Sequence, residues 1–509
     1  MLEKYWKGLS WDSWAKFLLI AFLTLQAARW PLFPQFMDIY YHLLTAWGFV
    51  QSGGYTGWDF WEYAPVGRVH IYPPVFHLIL AALMKAGLNQ IILAKIFEML
   101  MPVAFLSTIW YLVRRHFNMR LGLLVLVTAC ASFSFYLSLI NHVPATLAFI
   151  FGLLAIDQLL KGRFLSPLLL LTLCFYTHIG VSIFLALTFM FFGLFNQEYK
   201  KRVFLILVGA LILSCPIIFK QIVSLKFVTI KKLLEKLISE FKPLEYVFAG
   251  YGLFLSYKKS KKYLIFPSFF LASFIFFPYP FRFFSAEGYL PIVFLAAVGW
   301  EGLFNWADTH KKRIKYITLI LVLYFLLSPT VLMYMPEVKS KEASWKVYLA
   351  DSSFMGMLFP ERNKRLASTS LWFDREYLSA ARIIKNNTDE RDIIFANLFS
   401  VGTCLAGLSG RATANGMLPE VSAKEKFNPF LSSKIFIVGR GIEVDNVSYY
   451  VERYKLVKVG ENKLFIFYKN PTCSVKLNIP KASVSFICIG LISLIFMASI
   501  LLEKIMKKS

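Results

Sequence analysis

Asp38 and His42 stand four residues apart in Phe36-Met37-Asp38-Ile39-Tyr40-Tyr41-His42, directly after the first long apolar stretch. On a helix that spacing puts both side chains on one face, one turn apart. A carboxylate at the lip of an apolar span is costly to bury without a partner, and ionisable residues at that depth mark functional sites. Its natural work is that of a general base, or of a carboxylate that orients an acceptor hydroxyl. An N-cap or an ion pair within the loop is the plainer alternative. His42 either orients Asp38 or acts directly. Asp59, Glu62 and Arg68 follow, interleaved with Trp58, Trp61, Tyr63 and Tyr72. Asp59 and Glu62 offer second carboxylates that could hold an acceptor or a divalent cation such as Mg or Mn; solvated loop charges are the competing reading. Trp58 and Tyr72 are candidate acceptor-site residues of the same loop. Five of the seven histidines, His42, His70, His77, His142 and His178, fall near the same end of the apolar segments. His142 and His178 sit at hairpin tips, where they either line a site or are satisfied structurally.

The elements that must hold these residues are transmembrane helices. Of 509 residues 57% are hydrophobic and 17% charged, against about 25% charged in soluble domains. Apolar stretches of roughly 18 residues or more recur, long enough to cross about 30 Å of hydrocarbon. About twelve are expected, at 17–34, 91–113, 121–140, 144–160, 164–177, 179–196, 203–222, 244–257, 263–280, 289–306, 314–335 and 482–502. The net charge of +25 does not imply nucleic acid, because Lys and Arg cluster in short loops where they set membrane orientation. Examples are Arg114-Arg115, Lys200-Lys201-Arg202, Lys258 to Lys262 and Lys311-Lys312-Arg313. With all such loops cytoplasmic, both termini are inside and Asp38 lies on the outer face. The N-terminal run is charged and lacks a small-residue cleavage pattern, so no cleavable signal is expected.

Residues 1–336 then form a mainly α transmembrane module. It carries a first external loop at about 35–72 and a re-entrant or surface helix after Pro73-Pro74. At about 226–242, Phe227, Ile230, Leu234, Leu237 and Phe241 share one face and predict an amphipathic surface helix. Residues 337–480 have soluble composition and predict a small external α/β domain, with a helix over 375–386 and strands at 392–396, 434–439 and 463–469. Residues 481–509 are a last span and a basic cytoplasmic tail. Cys404 and Cys473, the only cysteines of the external domain, could pair there.

Asp38-x-x-x-His42, Ser52-Gly53-Gly54, Trp58, Gly67 and Tyr72-Pro73-Pro74 resemble the first-loop signature of the pyruvoyl-tetrahydropterin-synthase-related membrane proteins, a group of the GT-C glycosyltransferase superfamily. The layout is shared more loosely by oligosaccharyltransferase catalytic subunits, protein O-mannosyltransferases and aminoarabinose transferases. The resemblance implies a GT-C-like helical bundle, a catalytic Asp after the first helix and a polyprenyl-phosphate or -pyrophosphate sugar donor. The acceptor would be a glycan, a lipid or a protein at the outer face of the cell membrane. It also implies a basic residue after a late helix for the departing phosphate. Arg282 fits, its fork of donors matching phosphate geometry, although a snorkelling Arg or an ion pair to Glu287 would look the same. Arg68 and His178 are further candidates for the donor phosphate. No Asp-x-Asp or Asp-Glu pair accompanies Asp38, which leaves a bound metal in doubt.

The rest of the chain narrows the choice. There is no phosphate-cradling Gly-rich loop followed by Lys-Ser/Thr, no dinucleotide fingerprint and no Cys/His zinc spacing. A transporter or flippase is the main rival, with no internal repeat or interior row of charges to favour it. A non-catalytic subunit of a cell-surface glycan assembly is the third reading.

Overall fold

The computed structural model describes residues 10–34, 38–228, 237–241, 243–278, 280–309, 330–335, 346–350, 375–417, 421–440 and 447–506, with single positions between 316 and 328. Among the described residues fourteen α-helices precede the external domain: α1 Trp11–Ala28, α2 Asp38–Ser52, α3 Val75–Lys85, α4 Gln90–His116, α5 Met119–Cys130, α6 Phe133–Asn141, α7 Val143–Leu160, α8 Leu165–Phe175, α9 Ile179–Phe195, α10 Gln197–Ser224, α11 Pro243–Lys258, α12 Ile265–Ser273, α13 Pro280–Ser285 and α14 Leu290–Asp308. The domain adds α15 Glu376–Asn387, α16 Phe399–Ser409, α17 Pro429–Ser432 and α18 Val447–Arg453, and α19 Phe486–Met506 closes the described chain. Among the described residues five helical stretches are long and apolar enough to cross a membrane: Gln90–His116, Val143–Leu160, Gln197–Phe227, Arg282–Asp308 and Phe486–Glu503. On α10 and α19 the outward side chains are apolar. Phe219, Ile222, Ile487 and Ile495 are all at least 60% exposed, a surface that water would reject and lipid accepts.

The bundle core is aromatic, with Phe105, Phe135, Phe149, Phe184, Phe189 and Trp300 buried together. Helices α11 and α14 pack most closely, through glycines. A Cβ on Gly252 would lie 1.8 Å from the Leu295 carbonyl oxygen, and one on Gly299 2.1 Å from that of Phe248. Small residues let helix backbones approach where lipid gives no hydrophobic drive. The stretch expected as one span at 121–140 is two helices, because Ser132 accepts the Phe135 N–H at 3.1 Å and caps a new start.

Two expectations are corrected. Leu237–Phe241, expected on the amphipathic surface helix, is a strand (β4), while residues 229–236 lie outside the described residues. It pairs antiparallel with β5 (Thr330–Met335), expected as the end of a span, which in turn pairs with β6 (Lys346–Ala350). The apolar run from Thr330 to Met335 is too short for its length to separate helix from strand, and Leu237, Ser239 and Phe241 also fit a period of two.

The external domain carries a five-stranded sheet. In the chain β1 is Gly54–Tyr55, β2 Trp58–Asp59, β3 Arg68–Val69, β7 Ile393–Ala396, β8 Ala412–Thr413, β9 Ile435–Gly439, β10 Val457–Glu461, β11 Phe465–Lys469 and β12 Val484–Ser485. The sheet runs β10-β11-β9-β7-β8, with β7 parallel to both β8 and β9. Every residue of β9 is buried, as the near-continuous apolar run of a covered parallel strand requires. The helix and three strands expected here occur at α15, β7, β9 and β11. Cys404 and Cys473 are both free thiols.

This domain does not merely cap the bundle. Its Ile394, Leu405, Leu408, Ile435 and Phe467 share one core with Ile39, Tyr40, Leu43, Leu44, Phe49, Trp61 and Phe76 of the first loop and α3. Helix α16 lies against α2 so closely that a Cβ on Gly407 would sit 2.5 Å from the Tyr40 carbonyl oxygen. Gly407→Val must push these backbones apart. The overpacking should cost about 1–3 kcal/mol, seen as a lower Tm in detergent, and an unchanged Tm would show that α16 and α2 are not in contact.

Candidate active site

Ion pairs separate the two ends of the bundle. At one end Asp12, at the start of α1, meets Arg114, at the close of α4, at 2.6 Å. There too Arg120 meets Asp308 at 2.8 Å, His116 meets Asp157 at 2.9 Å, and Lys259 meets Glu301. Glu503 of α19 accepts the N–H groups of Phe164, Leu165 and Ser166 at 2.6–2.8 Å, satisfying the open donors at the start of α8. The basic loops from Arg114 to Lys262 therefore share this end. The helices run from it to the other, where Asp38, His142, His178, Arg282 and Glu287 lie.

Asp38 opens α2, where a carboxylate favours the positive helix N-terminus. Gly53, with φ +83°, ends that helix. Gly54 then pairs with Ser485 at the head of α19, and a Cβ there would lie 2.1 Å from the Val484 oxygen. These contacts explain the Ser52-Gly53-Gly54 motif. Helix α3 begins after Pro74, and its Val75 N–H is held at 2.9 Å by the Tyr176 carbonyl, tying it to the tip that bears His178. His142 lies between α6 and α7, and Arg282 on the short α13.

Asp38 is half-buried. Burial pushes its carboxyl above the ordinary value, against the opposing charges of His142 and Arg282. Tyr72 is close enough for the Asp38 charge to raise its phenol, and its ring lies 5.3 Å from that of His42 and 6.2 Å from that of His178. Arg282 donates from Nη1 to Glu287 Oε1 at 3.0 Å, the ion pair that the sequence left open, while 36% of its side chain stays exposed. His142 Nδ1 approaches the same oxygen at 3.6 Å. His178 caps α9, its Nδ1 accepting the Val181 N–H at 3.2 Å, so the ring hydrogen is on Nε2. Burial, then Arg282, pushes this imidazole down to about 3. One end of the bundle thus gathers two carboxylates, a guanidinium and the imidazoles of His142 and His178. Sequence reasoning passed over Glu287 as a site residue and assigned His77 no role. Only the crowding of histidines at that end hinted at them.

The remaining candidates are placed elsewhere, in a closed network. Arg68 is 1% exposed. It donates to Asp59 at 3.2 Å, to Glu62 and, more loosely, to the Val421 carbonyl at 3.4 Å. His70 Nδ1 holds the second Asp59 oxygen at 2.5 Å, and the Met417 N–H donates to Glu62 at 2.6 Å. Burial would raise Asp59, but His70 and Arg68 outweigh it and hold that carboxyl below its ordinary value; burial pushes Glu62 up to about 7 despite Arg68. Glu62 and Arg68, expected in catalysis and donor binding, and Asp59, expected at the acceptor, are thus spent on joining the first loop to the external domain. Trp58 belongs to this region, stacked near Gly67 and Lys424. Among the described residues no group of three His, Cys, Asp or Glu could hold a metal ion. The carboxylates expected to share a divalent cation are each engaged by an arginine.

The fold is shared with solved structures of an archaeal oligosaccharyltransferase and of ArnT. No protein-family model and no curated protein matches the sequence. Solved structures with the same fold include the oligosaccharyltransferase of Archaeoglobus fulgidus in the apo form, 10% identical with TM-score 0.56, covering 91% of this chain and 75% of that one. The same organism's AglB in complex with an inhibitory peptide and a dolichol-phosphate is 11% identical with TM-score 0.53, at the same coverage. ArnT of Cupriavidus metallidurans in the apo state is 10% identical with TM-score 0.51, covering 90% of this chain and 98% of that one.

Arg68→Met should be severely destabilising, because it leaves two buried carboxylates uncompensated, a loss of about 3–5 kcal/mol. A large drop in Tm, with limited proteolysis between the first loop and residues 375–480, is the expected result. A stable variant with weakened donor use would return Arg68 to the phosphate site.

Proposed function

We propose that the protein is a membrane glycosyltransferase that moves a sugar from a polyprenyl-phosphate-linked donor to an acceptor hydroxyl or amide, with Asp38 as base. The observation that carries this reading is the meeting of a half-buried carboxylate with Arg282, His142 and His178 at one end of the bundle. The fold is shared with AglB, whose structure contains a dolichol-phosphate. The acceptor gives its proton to Asp38 as its hydroxyl oxygen or amide nitrogen attacks the anomeric carbon. The bond from that carbon to the phosphate oxygen breaks, and the polyprenyl phosphate leaves with the electron pair. A single displacement inverts the anomeric centre. Arg282 neutralises charge on the departing phosphate, and the His178 Nε2–H donates to it. A lipid-borne donor needs no nucleotide site, in keeping with a sequence that lacks one.

The orientation belongs to the same proposal, with about twelve spans, the basic end and both termini cytoplasmic, and the Asp38 end outside. A cysteine placed at Ser260 should then react with impermeant reagents only after permeabilisation. Labelling of intact cells would invert the topology.

Purified protein with radiolabelled polyprenyl-phosphate sugars should release the lipid phosphate. Asp38→Asn removes the base while keeping size and capping, so turnover should fall by about 10²- to 10⁴-fold with donor binding retained. Near-normal transfer would make Asp38 a cap, since Asn caps about as well as Asp. Because the carboxyl of Asp38 is raised, activity should be lost as pH falls through a value above the ordinary 3.9 or so. That acid limb should vanish in the residual activity of Asp38→Asn.

Arg282→Ala should raise the KM for donor lipid far more than it lowers Tm, because a third of the side chain is exposed. Arg282→Lys should restore part of the loss, keeping the charge without the fork. Unchanged donor dependence in Arg282→Ala would move the phosphate elsewhere, with His178 the next candidate.

A further inference from the structure

Two buried histidines meet behind Asp38, and only one of them lies on the helix that Asp38 begins. His42 Nδ1 and His77 Nε2 are 2.9 Å apart, with His77 fully buried and His42 4% exposed. Tyr41, Tyr72 and Phe76 enclose the His42 ring at centroid distances of 5.2–5.4 Å. In that apolar cage burial pushes both imidazoles down, His42 to about 3, so both are neutral at physiological pH. A neutral imidazole has one N–H and one lone pair, and the hydrogen bond made by one nitrogen decides the state of the other.

His77 Nε2 is engaged by His42, so the Pro73 backbone group that acts on the His77 ring is left to Nδ1, which makes no full hydrogen bond. A proline has no N–H, so the group it presents is a carbonyl oxygen, which calls for hydrogen on His77 Nδ1. His77 Nε2 is then a lone pair, His42 donates to it from Nδ1, and His42 Nε2 carries no hydrogen. Among the described residues that nitrogen has no hydrogen-bond partner. His178 has the opposite polarity, its Nδ1 accepting from the backbone and its Nε2 bearing the hydrogen. The two rings flank Tyr72, one offering a lone pair and the other an N–H.

We infer that His77 is a positioning residue that fixes His42 in the Nδ1–H tautomer, so that His42 Nε2 accepts a hydrogen bond from a second O–H or N–H of the acceptor, beside the group whose proton Asp38 takes. This rests on the transferase reading for its purpose, not for its geometry. His42 orients the acceptor through that second hydrogen, Asp38 takes the proton of the attacking group, and His178 serves the phosphate. His77 touches none of them and acts through His42.

The test is nitrogen NMR on protein labelled with ¹⁵N-histidine in nanodiscs, with His42→Gln to assign the resonance, alongside donor-lipid turnover. His42 should show a protonated Nδ1 and a bare Nε2. His77→Phe should abolish that pattern and lower turnover about 10- to 10²-fold, the usual cost of a misplaced reacting group, with the donor KM unchanged. His77→Gln, whose amide oxygen can accept the same hydrogen, should keep both tautomer and most of the turnover. A protonated Nε2 on wild-type His42, or a tautomer indifferent to His77→Phe, overturns the inference, and the wild-type spectrum decides even where a variant fails to fold. The expected tautomers without any transfer by the wild type would uphold the lock and overturn the transferase reading instead.

Discussion

The guanidinium of Arg68, buried between Asp59 and Glu62, is the constraint on which the rest of this end of the molecule depends. A buried charge is tolerated only when its partners are held in place, and here the partners belong to different parts of the chain. Glu62 is fixed by the Met417 N–H. Around it the first loop is bonded into the external domain, with Tyr63 N–H to the Asn415 carbonyl and Ala64 N–H to that of Thr413, both at 3.0 Å. The loop thereby covers the β8 edge of the sheet, which would otherwise offer open backbone groups. A loop of this length with no regular structure beyond α2 and short strands gains a fixed shape from that union. Its fixed shape is what holds Asp38, His42 and Tyr72 in one place.

Function then follows from a division of charge. The carboxylates of Asp59 and Glu62 are tied to Arg68, while Asp38 lies near His142 and Arg282. Its proton affinity is set by burial against those charges. Arg282 is shared with Glu287, which tempers a cation that would otherwise hold Asp38 strongly ionised. The helix ends do the placing. His142 and His178 occupy the junctions of α6 with α7 and of α8 with α9, where a polar side chain can leave the apolar interior without exposing backbone.

Much of this was legible in the residues. The spacing of Asp38 and His42 after an apolar run matches their place on one helix, and the basic loops from Arg114 to Lys262 share one end of the bundle as expected, because both signals are local. β7, β9 and β11 were legible as short apolar runs in a polar segment. What the residues did not reveal was non-local. Arg68 and Glu62 are chemically competent residues, and nothing in their spacing reveals that Met417 and Val421 complete their coordination some 350 positions later. Leu237–Phe241 supports a helical stripe and a strand alternation equally, and its pairing with Thr330–Met335 decided the matter. His77 gave no signal beyond the crowding of histidines at that end, because its partner His42 lies on another helix.

The central claim is that a lipid phosphate binds at the end of the bundle where Asp38 and Arg282 meet. Photo-crosslinking with a polyprenyl phosphate carrying a diazirine beside its phosphate measures this most directly. The account predicts adducts on peptides containing His142, His178 or Arg282, competed by unmodified polyprenyl phosphate. Adducts confined to the opposite end, around Arg120, Lys259 and Glu301, would contradict it.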